Sequence, residues 1–195
     1  MKRTIVSRKE QVFHMETAMQ RIQYILYYWP EVEFSLTELA EKAGVSKSTV
    51  SRLIETLVAL EIATVEDKGI VFRIQANTQS FQFIKRKIAY NLSFVYDTGL
   101  VEFLEDALGH PTAIILFGSF RKGEDISTSD VDIAVETLED IDIHTVMPKG
   151  IERIEKQFAG RKIQIHLFNR KKIDINVFNN IANGIVLSGF LEVQK

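Results

Sequence analysis

The sequence predicts an α+β chain in two parts, and three observations carry that reading. Apolar residues recur at helical spacing through the first third, which a short hairpin pattern closes. After residue 97, helical stretches alternate with short apolar runs. Two of those runs, 112–117 and 131–135, are rich in Ile and Val and too short for helices, so they read as strands. The expected organisation is a domain over 1–76, a helical connector over 77–96 and a second domain over 97–195.

Val12, Met15, Met19, Ile22, Ile25, Leu26 and Trp29 mark one face of a helix over residues 10–29, which Pro30 stops. Ser35 and Glu38 form a capping-box pattern opening a second helix at Leu36. Gly44 supplies a turn, and Ser46 caps a third helix from Lys47 to about Glu61. Its inward residues are Val50, Leu53, Ile54 and Leu57. The runs 62–65 and 70–74 flank Glu66-Asp67-Lys68-Gly69 and predict a β-hairpin.

This order of elements resembles a winged helix-turn-helix, and residues 39–52 (LAEKAGVSKSTVSR) resemble bacterial and archaeal repressors. The resemblance implies double-stranded DNA as a partner. The helix after the turn would enter the major groove with Ser46, Lys47, Ser48, Thr49, Ser51 and Arg52, while Lys68 and Arg73 on the wing would reach phosphates. Ten basic and ten acidic residues leave 1–76 without net charge, which also fits a wing domain that binds protein. Glu31, Glu33, Glu38 and Glu41 all precede the third helix.

Residues 81–90 read as an amphipathic helix whose Lys85-Arg86-Lys87 run is a solvated face. Phe94 and Tyr96 read as interdomain packing. After Gly99, helical spacing resumes at Leu100, Phe103, Leu104, Ala107 and Leu108. Residues 137–145 read as an acidic, solvated loop, and 148–159 as a helix with Ile151, Ile154 and Phe158 inward. Arg161 and Lys162 read as exposed helix-end cations.

The residues with chemistry lie between the two apolar strands. Gly118 lets the backbone turn sharply and lets a phosphate come close, and Ser119 is placed to cap a short helix. Amide N–H groups at such a helix start, with Arg121 and Lys122 nearby, suit a phosphate. Asp130 and Asp132 alternate with Val131, Ile133 and Val135, so both acids share a strand face and can converge on one ion. Two carboxylates with waters and substrate phosphates are what magnesium prefers.

Gly118-Ser119, ten residues, then Asp130-x-Asp132 resembles the signature of the polymerase-β-like nucleotidyltransferases, closest to their minimal branch. Residues 183–189 resemble that family's closing helix-to-strand segment, and the likeness covers about 97–195. It implies a small mixed sheet flanked by helices, Mg2+, and ATP or another nucleoside triphosphate as substrate. It places Gly118, Ser119, Arg121, Lys122 and Ser129 at the nucleotide, and Asp130 and Asp132 at the metal.

The family's third carboxylate is missing. The strand over 162–168 carries Gln164 and His166 on the face where that acid is expected. His166 reads two ways, as a catalytic base or as a structural histidine.

Two functions follow. One is transfer of a nucleoside monophosphate, AMP from ATP, to an acceptor hydroxyl, with an attached DNA-binding domain. In the minimal branch, that pattern includes antitoxins that adenylylate a partner ribonuclease toxin. The other is a DNA-binding transcriptional regulator whose nucleotide-binding, nucleotidyltransferase-like domain is catalytically weak or inactive. Within its 195 residues the chain has no cysteine and no apolar run of membrane-spanning length, which excludes a disulfide framework and fits a cytoplasmic protein with no membrane partner. The apolar content of the first helix fits a homodimer.

Overall fold

Side-chain caps decide where the first helices begin. The computed structural model describes residues 17–67, 69 and 72–193. Helix α1 (Ala18–Tyr28) starts at Thr17, which exchanges capping hydrogen bonds with Gln20. Val12 and Met15 lie outside the described residues. Helix α2 (Leu36–Ala43) opens on the predicted box: Glu38 N–H donates to Ser35 Oγ at 3.2 Å, and Ser35 N–H donates to Glu38 Oε2 at 2.7 Å. Helix α3 (Lys47–Ala59) is capped by Ser46 Oγ, which accepts from Thr49 N–H at 3.1 Å. Strands β1 (Ala63–Asp67) and β2 (Phe72–Ala76) form the antiparallel hairpin, and Phe34 bridges to Ile74. Ile22, Leu26, Leu39, Val50, Leu57 and Ile62 have no exposed surface. Each such burial contributes roughly 1.5–3 kcal/mol.

The chain divides after Phe83 into two units. That division falls inside helix α4 (Phe81–Asp97), which occupies most of the expected connector and runs past Tyr90 to the Thr98-Gly99 stop. Helix α5 (Leu100–Ala107) then leads to strand β3 (Ala113–Phe117) and the one-turn helix α6 (Gly118–Lys122). Strand β4 (Val131–Glu136), edge strand β5 (His144–Val146), helix α7 (Glu152–Glu155), strand β6 (Ile163–Phe168), helix α8 (Ile175–Ala182) and strand β7 (Ile185–Gly189) complete the second unit.

These strands make a mixed sheet in the order β5-β6-β4-β3-β7, with only β4 and β6 parallel. Period-two alternation gives β4 two jobs. Val131, Ile133 and Val135 pack with Leu100, Leu104 and Phe158 on one face. Ala134 packs with Ala113, Ile115, Phe168 and the α8 residue Ile181 on the other. Asp132, Gln164 and His166 belong to this second face by the same alternation.

Four expectations change. Residues 148–159 hold a single α-turn (Glu152–Glu155) followed by a 3-10 turn (Lys156–Phe158), which ends at Ala159 in the left-handed region at φ 53°. The acidic loop contains β5, which pairs with β6. Phe94 packs edge-on against Phe158 at 4.9 Å, in the second unit's own core, and the exposed Tyr96 donates from Oη to the Leu187 carbonyl of the same unit at 3.1 Å. Lys87 and Arg161 are buried, not solvated, because both face the buried carboxylate of Asp125. Among the described residues, no helix is long and apolar enough to cross a membrane.

Glu136, at the far end of β4, is 1% exposed, and its Oε2 has no hydrogen-bond partner. Burial pushes its carboxyl above the ordinary range, opposed by Arg170 (Nε to Oε1, 3.3 Å) and assisted by Glu192. The folded state therefore holds this proton more tightly than the unfolded chain. Its stabilising contribution is full below about pH 4.5 and fades as pH rises through the raised pKa. Urea midpoints measured from pH 4.5 to neutrality should fall less steeply in Glu136→Gln than in the parent. Equal slopes would contradict this account.

Candidate active site

Strand β3 ends where the backbone must reverse beside an acid. Gly118 has φ +72°, and a Cβ there would stand 2.1 Å from Asp132 Oδ2. Register explains the closeness: Phe117 is the cross-strand partner of Asp132. Only a residue without a side chain tolerates both the left-handed backbone and the carboxylate. The chain enters α6 directly from Phe117, which occupies the N-cap position. Ser119 therefore sits inside the helix and is not its cap. Arg121 is half-buried and Lys122 exposed, both in the last turn of α6.

Asp130 lies just before β4 and is exposed. Its Oδ2 accepts from Gln164 Nε2 at 3.3 Å. Gln164 is also the register partner of Asp132, so the two acids flank one amide side chain. Ser129 closes the turn ahead of Asp130, its Oγ accepting from Ile126 N–H at 3.0 Å. His166 brings Nε2 to 3.9 Å from Asp132 Oδ1, and Nδ1 to 3.5 Å from Thr145 Oγ1. Its ring meets Phe117 edge-on at 5.6 Å.

The structure thus brings together Gly118, Asp132, His166, Gln164 and Asp130. Thr145 and Phe117 join them, and the sequence reading passed over both. Thr145 was hidden in an acidic stretch; the alternation His144-Thr145-Val146 was its one signal. Phe117 ends the apolar run 112–117 and carries no polar signal of its own.

Whether these residues fit magnesium is a question of donors and space. Asp130 and Asp132 supply hard oxygen ligands, both open to solvent in part. Gly118 leaves free the space beside the Asp132 carboxylate that a Cβ would fill. Among the described residues, no three His, Asp or Glu side chains converge into a metal cage, so an ion here must complete its shell with phosphate and water. The donor set fits an ion that arrives with its substrate.

In the first unit, Lys47, Ser48, Ser51 and Arg52 are exposed along α3. Ser46 and Thr49 are occupied with capping, their hydroxyls 2.8 Å apart. Arg73 pairs with Glu38 at 3.7 Å on the body of the hairpin. Lys68 lies outside the described residues.

Comparison with known families agrees with this geometry. Residues 100–189 match the family described as polymerase beta, nucleotidyltransferase. Residues 31–67 match the IclR helix-turn-helix domain. No curated protein and no solved structure matches the chain.

Gly118→Ala should lose about 1–2 kcal/mol in urea unfolding from its left-handed backbone. It should also displace the Asp132 carboxylate, read as a shifted side-chain carboxyl NMR signal. Gly109→Ala is the control, since it has φ +69° with nothing within 4 Å of the added methyl. An Asp132 signal unmoved by Gly118→Ala would refute the close approach.

Proposed function

We propose that this chain, a helix-turn-helix domain followed by a polymerase beta-type nucleotidyltransferase domain, transfers a nucleoside monophosphate from a triphosphate, ATP in the simplest reading, to an acceptor hydroxyl. The observation that carries the proposal is the Gly118 bend lying directly against Asp132, with Asp130 joined to the same face through Gln164.

Gly118 and Ser119 would admit the phosphates to the backbone, with Arg121 and Lys122 as the nearby cations and Ser129 shaping the approach to Asp130. Asp130 and Asp132 would hold Mg2+, which when bound neutralises charge developing on the phosphates. The acceptor oxygen bonds to the α-phosphorus, the bond from that phosphorus to the β-phosphate oxygen breaks, and pyrophosphate leaves. The acceptor's proton passes to His166. A tautomer donating from Nδ1 to Thr145 leaves Nε2, the nitrogen facing Asp132, to receive it.

The helix-turn-helix unit supports double-stranded DNA as a partner, read by Lys47, Ser48, Ser51 and Arg52. One observation favours a second reading, a regulator whose nucleotide site is catalytically weak: β6 offers a neutral amide, Gln164, where an acid would activate the acceptor. Both readings hold together in an antitoxin that modifies a toxin and represses its own operon.

Calorimetric titration of ATP should show binding that needs magnesium and is lost in Asp132→Asn. Labelled-nucleotide transfer should vanish in Asp130→Ala, and His166→Ala should lower kcat by about 10²–10⁴-fold. Magnesium-independent binding, or none, rejects the transferase. For the first unit, the slope of log affinity against log salt on promoter DNA should shrink by about one in Lys47→Ala and again in Arg52→Ala. An unchanged slope in both variants removes α3 from the DNA contact.

A further inference from the structure

Asp125 lies in the loop that joins α6 to β4, between the Gly118 bend and Asp130. Nothing in the sequence pattern singles it out. Its side chain is 1% exposed, yet both its carboxylate oxygens are engaged. Lys87 of α4 brings Nζ to 3.2 Å from Oδ1, and the same ammonium donates to the Asp125 backbone carbonyl. Asn91, one helical turn along α4, donates from Nδ2 to Oδ1 at 2.8 Å and to the Phe120 carbonyl at 2.8 Å. Arg161, ahead of β6, reaches Oδ2 at 2.7 Å. The loop also has no room to slide on α4. A Cβ at Gly123 would stand 2.9 Å from the Ile84 carbonyl oxygen and 3.0 Å from Ile88.

Burying three charges is a poor route to stability, because desolvation offsets most of their attraction. What such a cluster does well is fix one geometry. Each element it joins presents part of the site. Asn91 holds α6, which carries Gly118 and Ser119. Asp125 anchors the turn that Ser129 closes before Asp130. Arg161 fixes the entry to β6, three residues before Gln164, while Val131 N–H donates to the Lys162 carbonyl at 2.9 Å.

We infer that Asp125 is a positioning residue for nucleotide and magnesium, setting the separation between the Gly118 bend and Asp130 through Lys87, Asn91 and Arg161. This rests on the nucleotidyl-transfer reading. The residue touches no reacting atom; it acts through the loop.

The test uses the full chain, with Asp125→Asn and, independently, Asn91→Ala, at a temperature where circular dichroism shows each variant folded. Mg2+-ATP affinity and the magnesium half-saturation at fixed ATP are measured by calorimetry, and promoter-DNA affinity is the control for the other unit. Both variants should weaken magnesium-dependent ATP binding by about 10–100-fold, as loss of support behind metal ligands does, with DNA affinity unchanged. Asp125→Asn also deletes a negative charge near a polyanion's site, so a purely electrostatic role would tighten ATP binding. Tighter binding, or parent-like binding in folded variants, overturns the inference. If Asp125→Asn does not fold, Asn91→Ala alone decides, since it leaves the ion pairs intact. If the parent chain binds no Mg2+-ATP, the transferase reading falls first and this inference with it.

Discussion

One oxygen of Asp132 stands where a side chain at residue 118 would be, and the second unit is arranged around that close approach. It requires β3 and β4 to be antiparallel neighbours with Phe117 opposite Asp132. It requires β4 to bury one face through Val131, Ile133 and Val135 so that the other can present an acid. It also requires a chain reversal at Gly118 that no L-residue makes cheaply. A one-residue slip between the strands would turn Asp132 toward the apolar core and bury an unpaired carboxylate there. Register and function are therefore specified by the same pairing.

Charge is handled differently at the two ends of β4. At the open end, Asp130 and Asp132 keep solvent access and have neutral or weakly basic neighbours in Gln164 and His166. At the closed end, Glu136 is sealed, with Arg170 shared between it and Glu192. Beneath the loop, Asp125 is sealed as well, but with partners on both oxygens. The exposed acids remain available to a cation, whereas the buried ones have committed their lone pairs or lost the space for one. This separation leaves Asp130 and Asp132, of the acids along 125–136, open to solvent at least in part.

The strands and the Gly-Ser/Asp-x-Asp elements were legible because their signals are local: a bend, an alternation and a fixed spacing. The capping box at Ser35 and the cap at Ser46 were legible for the same reason. Lys87 was not. In Lys85-Arg86-Lys87 the three residues share one chemistry, and only position separates them. Lys87 and Asn91 fall on the i, i+4 line that leads to Val95, and all three are buried. A polar stripe on the apolar side of a helix becomes visible only when its partner is known, and Asp125 is 38 residues away from Lys87. Ser119 was misread as a cap because the bend was assigned a linker residue that the chain does not use.

Gln164 changes what the proposed chemistry asks of the site. An acid at that position would be the register partner of Asp132 and would face Asp130, setting a third negative charge against two. The amide instead donates to Asp130 Oδ2 and leaves Oδ1 free. On the proposed reading, two carboxylates would carry the protein's share of a magnesium shell, and about four places would fall to phosphate oxygens and water. Ion and nucleotide would each supply what the other lacks, so their binding is coupled, and by linkage equally in both directions. In the proposed transfer, the burden of activating the acceptor would move from a carboxylate to the ring held between Thr145 and Asp132.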